Sequence, residues 1–245
     1  MTIAPRTPAH MHQIGPCTLI LGDALAILPG LGEKADLICS DVPYRLTSGG
    51  RGEKGDGSMS GMFGADQYDN SGDLFVDMVH WREMGGPVFR AAKPRAQAYI
   101  MTEARNLAAA QEGFLGAGWR FHNTLVWGKP SPTPNRQYMK NCEFTLYLFK
   151  GGAKTIARPG DKQLIAGPRA KDKIHPTQKP LWLMRHYITN SCPQGGLVLD
   201  PFMGSASTLI AAAQCGRRAI GIEINPEYYV AACERVAREI AATTG

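Results

Sequence analysis

From Cys17 onward, short apolar runs alternate with stretches of helical spacing. Runs of strand length occupy Thr18–Leu21, Ala35–Ser40, Ala96–Thr102, Phe121–Trp127, Glu143–Phe149, Gly196–Asp200 and Arg218–Glu223. Helical spacing predicts helices over Ala24–Leu28, Leu74–Ala92, Ala104–Ala117, Lys179–Asn190, Ser207–Cys215 and Pro226–Ala241, the second interrupted near Gly85-Gly86-Pro87. Pro180 suits a first helical turn, and Gly216 marks a stop. Residues 128–141 read as a polar loop and 151–174 as a basic, irregular segment. The glycine-rich stretch 46–73 has no periodicity, and loops of that length inside a domain are usually functional. Strands alternating with helices predict an α/β fold, a mostly parallel sheet with helices on both faces. Residues 1–13 read as a flexible tail, and 14–245 as a single domain.

Composition narrows the class. The chain has 245 residues, 44% hydrophobic and 20% charged, as an ordinary globular protein does. No apolar run approaches the roughly 18 residues of a membrane span, and Met1–Gln13 lacks an apolar signal core, so the expectation is a cytoplasmic protein with no membrane partner. The six cysteines form no CxxC pair; free thiols and no metal site are expected. The net charge of +6 is concentrated: residues 120–180 hold 12 Lys/Arg against three acids, while residues 1–119 hold 10 against 13. An excess confined to one segment points to a polyanion-binding surface.

Two short stretches carry chemistry. Asp41-Val42-Pro43-Tyr44 follows an apolar run and sets a carboxylate, two carbonyls stiffened by proline and an aromatic ring at the carboxyl end of a strand, where open α/β sheets bind ligands. This group suits a flat heterocycle bearing an amino group. In Val198–Thr208 an apolar strand runs into the small-residue turn Asp200-Pro201-Phe202-Met203-Gly204-Ser205-Ala206 and then a helix, the pattern of a nucleotide-cofactor turn. Glu223 ends the next strand, where an acid can bind two ribose hydroxyls. Asp23 also stands at a strand end, as a helix N-cap or as an acceptor for a cofactor's base.

Asp41–Tyr44 resembles the Asp-Pro-Pro-Tyr motif of DNA amino-methyltransferases, with Val42 at the first proline. Asp200–Ala206 is similar to that family's Asp-Pro-Phe-x-Gly-Ser-Gly motif, with Ala206 at the last glycine, and His175–Pro180 is similar to its His-Pro-Thr-x-Lys-Pro element. Their order matches the β class. The resemblance implies a Rossmann-like, S-adenosylmethionine-dependent methyltransferase fold, circularly permuted, in which the Asp23 strand lies beside the Glu223 strand. It implies that Asp200, Pro201, Phe202, Gly204, Ser205 and Glu223 hold S-adenosyl-L-methionine, with Thr177 and Lys179 at the amino-acid end of the cofactor. It also implies a homodimer.

The chemistry then expected is methyl transfer to the exocyclic amine of a base flipped out of double-stranded DNA. Asp41 and the Val42 carbonyl accept the amino hydrogens, and Tyr44 stacks on the base. Because the contribution at Val42 is main-chain, valine can stand there. Arg45, Arg51 and Lys54 are candidate phosphate contacts, and so are Lys129, Arg136, Lys140, Lys154, Arg158 and Arg169 of the basic segment 128–174. The motif's leading Asp favours adenine N6. Cytosine N4 is the alternative, as are an RNA or protein-amide acceptor and a non-catalytic DNA-binding module on a decayed fold.

Overall fold

In the computed structural model, residues 10–43, 80–133, 138–171, 174 and 178–244 are described. Tyr44, Arg45, the glycine-rich stretch with Arg51 and Lys54, Arg136, His175 and Thr177 lie outside the described residues. The chain divides into two compact units, residues 1–42 with 81–245 and residues 43–80. Only Pro43 and His80 of the second are described, and all the described strands and helices belong to the first.

The described strands are β1 (His10–Ile14), β2 (Cys17–Leu21), β3 (Ala35–Asp41), β4 (Ala92–Thr102), β5 (Arg120–Thr133), β6 (Lys140–Phe149), β7 (Leu164–Ala166), β8 (Leu197–Asp200) and β9 (Arg218–Glu223). They form one sheet in the order β1-β2-β9-β8-β3-β4-β6-β5-β7. From β2 to β4 neighbouring strands are parallel; β6 is antiparallel to both β4 and β5. The amino-terminal β2 therefore lies beside the carboxy-terminal β9, with Leu21 opposite Glu223, the neighbourhood expected for these two strands.

The helices are α1 (Ala24–Ile27), α2 (Trp81–Ala91), α3 (Leu107–Gly116), α4 (Leu181–Ser191), α5 (Ser207–Gln214) and α6 (Pro226–Thr244). Strand alternation sends Leu37, Cys39, Tyr99, Met101 and Val198 into a core with α4, α5 and α6. The intervening Ile38, Ala98 and Ile100 are equally buried, on the opposite face, where α2 and α3 pack together. Central strands buried on both faces read as continuous apolar runs. The expected α/β sheet covered on both sides is the observed one, and none of the described helices is long and apolar enough to cross a membrane.

Four expectations change. Residues 10–13 belong to an edge strand rather than a tail, in a hairpin with β2 through Gly15-Pro16. Gly15 has φ +53°, so glycine followed by proline fits a type II′ turn, but the strand itself is mostly exposed and its pattern is silent. Residues 128–141 are not a free loop, because β5 continues to Thr133 and β6 begins at Lys140, as a ribbon with a register shift after Gly128. Segment 151–174 contains β7, which adds to β5.

Finally, α2 runs unbroken through Gly85-Gly86-Pro87. Proline forgoes one helical bond, but Gly85 serves the neighbouring helix. A Cβ at Gly85 would collide with the Gly113 carbonyl, and one at Gly113 would lie 2.5 Å from the Trp81 carbonyl oxygen. The two bare backbones set how closely α2 and α3 approach.

The turn from β8 to α5 is also shaped by backbone. Gly204 has φ +47° and Ala206, fully buried, has φ +59°. Left-handed backbone costs an alanine about 1–2 kcal/mol that glycine does not incur.

Two stability results are expected. Gly113→Ala should destabilise by about 1–3 kcal/mol in urea unfolding through overpacking, whereas Gly116→Ala, with nothing within 4 Å, should be neutral or mildly stabilising. Ala206→Gly should be neutral or stabilising by up to about 1 kcal/mol, while Ala211→Gly, inside α5, should cost about 1 kcal/mol or more.

Candidate functional site

Parallel strands bring their carboxyl ends to one edge. Asp41 ends β3, Asp200 ends β8, Glu223 ends β9, and Asp23 follows β2. Because β6 runs the other way, Glu143 near its start reaches the same edge. β8 and β3 are adjacent, and the chain proceeds from β8 to β9 on one side and from β3 to β4 on the other. This divergence is where open α/β sheets form their ligand crevice, and Asp200 and Asp41 flank it.

Four charges form the centre of the site. The Lys179 ammonium donates to Asp41 Oδ2 and lies 3.2 Å from Glu143 Oε2. Lys129 donates to the other Glu143 oxygen and sits 5.0 Å over the Trp127 ring. Lys179 is nearly buried, at 7% exposure. Two ammonium groups against two carboxylates leave the cluster neutral, the condition under which buried charge is tolerated. Burial and the Glu143 charge raise the Asp41 pKa, with Lys179 opposing them. At Glu143 burial also disfavours charge, but Lys179 and Lys129 outweigh it and hold the carboxyl at about 2. Asp41 Oδ1 is buried and accepts no hydrogen bond from any described residue. The site thus presents one unfilled anionic acceptor beside a carboxylate oxygen that is already occupied.

Asp200 is stabilised by dipoles. Its Oδ1 accepts from Ser40 Oγ at 2.6 Å and from the Phe202 amide at 3.1 Å, yet burial still pushes it up to about 6. It shapes the turn from within, because the Phe202 bond closes Asp200–Phe202. Glu223 bridges two loops, accepting from the Gly204 amide at 3.1 Å and the Asn225 amide at 2.8 Å. Burial raises its pKa, and the amides oppose the rise. Met203 N donates to Ile222 O, and a Cβ at Gly221 would collide with Met203 and Leu209. The bare Gly221 backbone therefore lets the turn lie against β9.

Other expected site residues fall in different places. Asp23 is the N-cap of α1, accepting from Leu25 N at 2.9 Å. Lys179, expected at the cofactor, is held by Asp41 and Glu143. Val42 is buried and Pro43 half-buried. Pro201 is buried, Phe202 and Gly204 are half-buried, and Ser205 is nearly buried.

The basic segment divides between the two edges of the sheet. Lys140, half exposed and 3.9 Å from Glu103, and Arg169, which donates to Ser131 O, lie on the Asp41 edge. Lys129 is on that edge too but is committed to Glu143. Lys154 and Arg158, also expected at the DNA, stand away from the Asp41 edge. Gln97, near the start of β4, donates to the Lys154 carbonyl, and Lys154 acts electrostatically on Asp36 near the start of β3. Arg158 is bound to Asp161 and, through its amide, to Asn190 at the far end of α4 from Lys179. Both are at the amino-terminal edge, about 15 Å of helix away. Proximity in sequence does not imply one surface when β5, β6 and α4 each span the sheet.

Sequence reasoning missed Glu143, Ser40 and Arg235. The signal for Glu143 was an acid within an apolar strand run; Ser40 carried none beyond lying next to Asp41. Arg235, on α6, donates to the Ser205 carbonyl at 2.6 Å. Among the described residues no cluster of His, Cys, Asp and Glu could hold a metal ion.

A family model for DNA methylases, the N6/N4 methylases, matches residues 35–234. Type II methyltransferase M2.DpnII of Streptococcus pneumoniae is 29% identical over 231 residues, covering 84% of each chain. Type II methyltransferase M2.LlaDCHI of Lactococcus lactis subsp. cremoris is 26% identical, covering 89% of this chain and 88% of its own. Among solved structures, the M1.HpyAVI–SAM complex superposes with a TM-score of 0.68 at 25% identity, covering 89% of this chain and 99% of that one. The cytosine-N4-specific PvuII DNA methyltransferase shares the fold, with a TM-score of 0.68 at 17% identity over 96% of this chain and 94% of its own. With the family model spanning both the Asp41 strand and the Asp200 turn, this chain belongs to the N6/N4 family of DNA methylases.

Proposed function

We propose that this DNA methyltransferase transfers a methyl group from S-adenosyl-L-methionine to adenine N6 of a base flipped from double-stranded DNA. The observation that carries the reading is the divided role of Asp41: one oxygen held by Lys179, the other buried with no described donor. An exocyclic N–H is the donor that fits it. The leading Asp of the motif supports adenine over cytosine.

The residues present fit the cofactor. The half-buried Glu223 carboxylate accepts amides from Gly204 and Asn225 and retains acceptor capacity for the ribose hydroxyls. The small turn Gly204–Ala206, with its two left-handed residues, lets a ligand approach the backbone at the start of α5. Asp200 orders that turn. Bound there, S-adenosyl-L-methionine supplies an electrophilic methyl group.

Asp41 Oδ1 accepts one amino hydrogen and the Val42 carbonyl the other, which fixes the orientation of the amine and localises its lone pair. Tyr44 stacks on the base. Lys179 opposes burial and the Glu143 charge and so favours the ionised form of Asp41. A protonated Asp41 would offer a donor where an acceptor is needed. Lys140 and Arg169 supply phosphate contacts at this edge; Lys154 and Arg158, at the other, do not enter the reading. The same resemblance carries a homodimer, which sedimentation at micromolar concentration checks; a monomer alone would remove it.

Asp41→Ala should lower DNA methylation at least about a hundredfold through lost positioning and leave cofactor affinity unchanged. Nucleoside analysis of the product should find N6-methyladenine; N4-methylcytosine in its place overturns the adenine assignment. In the wild type, turnover should fall as pH drops through the raised Asp41 pKa. Lys179→Met removes the opposing charge, so this acid limb should move to higher pH. An unmoved limb would mean that Lys179 does not set the Asp41 charge.

A further inference from the structure

Ala206 holds a left-handed conformation without the freedom of glycine, where the turn after Asp200 enters α5. Strained backbone of this kind persists only where its surroundings over-determine it. Within the turn, Ala206 N donates to Met203 O at 2.7 Å, and Ile210 N donates to Ala206 O at 3.0 Å. Both bonds belong to the turn and to α5 themselves and would follow the backbone if it relaxed. From outside the turn, β9 holds the Met203 and Gly204 amides, and Arg235 holds the residues on either side of Ala206.

Arg235 extends from α6 and is 5% exposed. Its Nη1 donates to the Ser205 carbonyl at 2.6 Å and to Ser207 Oγ at 3.0 Å, one bond on each side of Ala206. Ser207 Oγ is in turn 3.4 Å from Ser205 Oγ. A buried guanidinium is costly to desolvate, and burial lowers its pKa. An apolar side chain would fill the same volume at lower cost, so the contribution of Arg235 lies in what it binds. A charged donor to a carbonyl is among the stronger hydrogen bonds, and its planar fork is rigid.

We infer that Arg235 is a positioning residue for the cofactor: it clamps Ser205 and Ser207 and so holds the left-handed kink at Ala206 in its ligand-binding shape. The clamp supplies by tertiary contact what a glycine at 206 would supply by intrinsic freedom. It points the Ser205 carbonyl toward α6, leaving the start of α5 to a ligand. The inference rests on the reading that this turn binds S-adenosyl-L-methionine.

The test measures S-adenosylhomocysteine binding by calorimetry, methyl-transfer kinetics, and melting of the cofactor-free protein. Arg235→Met should weaken binding about tenfold or more, raising the KM for S-adenosyl-L-methionine while kcat at saturation stays near wild type. Adding Ala206→Gly should restore most of that affinity, because glycine occupies the kink unaided. It should also raise the melting temperature more in the Arg235→Met background than in the wild type. If Arg235→Met does not fold, Ser207→Ala removes one bond of the clamp, with a several-fold loss of affinity and the same rescue expected. Wild-type affinity in the Arg235→Met or Ser207→Ala protein, or a loss that Ala206→Gly leaves unrepaired, overturns the inference. A wild-type protein that binds no S-adenosylhomocysteine overturns the cofactor reading, and this inference with it.

Discussion

The shared ammonium of Lys179 is the interaction on which the rest of the site depends. A parallel sheet delivers Asp41, Asp200 and Glu223 to one edge, and the antiparallel β6 adds Glu143. Such a row of buried carboxylates repels itself and loses hydration, and each unpaired member would neutralise by taking a proton. The protein meets this in different ways along the row. Lys179 and Lys129 balance Asp41 and Glu143 as a neutral four-charge cluster. Asp200 is held by a hydroxyl and an amide, and Glu223 by two amides. Among the described residues, the first device leaves one carboxylate oxygen, Asp41 Oδ1, without a donor.

Backbone shape is the second constraint, and it is met by small residues at close approaches. Gly221 lets the turn rest on β9, Gly85 and Gly113 let α2 and α3 meet, and Gly204 bends the turn after β8. Ala206 is the exception, since it adopts glycine geometry without being glycine. A strained position of this kind indicates a neighbour that enforces it, and Arg235 fills that place.

The basic segment illustrates how charge read along a chain separates in space. Residues 120–180 carry the whole of the positive excess, but β5 and β6 each carry their residues from one edge of the sheet to the other. Lys129 becomes an internal counter-ion, Lys154 and Arg158 go to the amino-terminal edge, and Lys140 and Arg169 stay near Asp41. Electrostatic attraction for a polyanion follows the surface distribution rather than the linear count.

The sequence by itself determined the alternation of strands and helices, the sheet with both faces covered, and the positions of Asp41, Asp200 and Glu223 at strand ends. These follow from local periodicity and from small-residue turns, which short stretches of chain encode completely. It did not disclose the edge strand β1, whose exposed residues carry no apolar pattern, or the unbroken α2, whose Gly85 answers to a partner helix. Tertiary structure alone decided that Lys179 serves Asp41 and Glu143, that Glu143 belongs to the site, and that Arg235 reaches the turn from α6. Each of these joins residues about 30 or more positions apart. Buried charges have no preferred partner until the fold removes water and fixes which opposite charge is near.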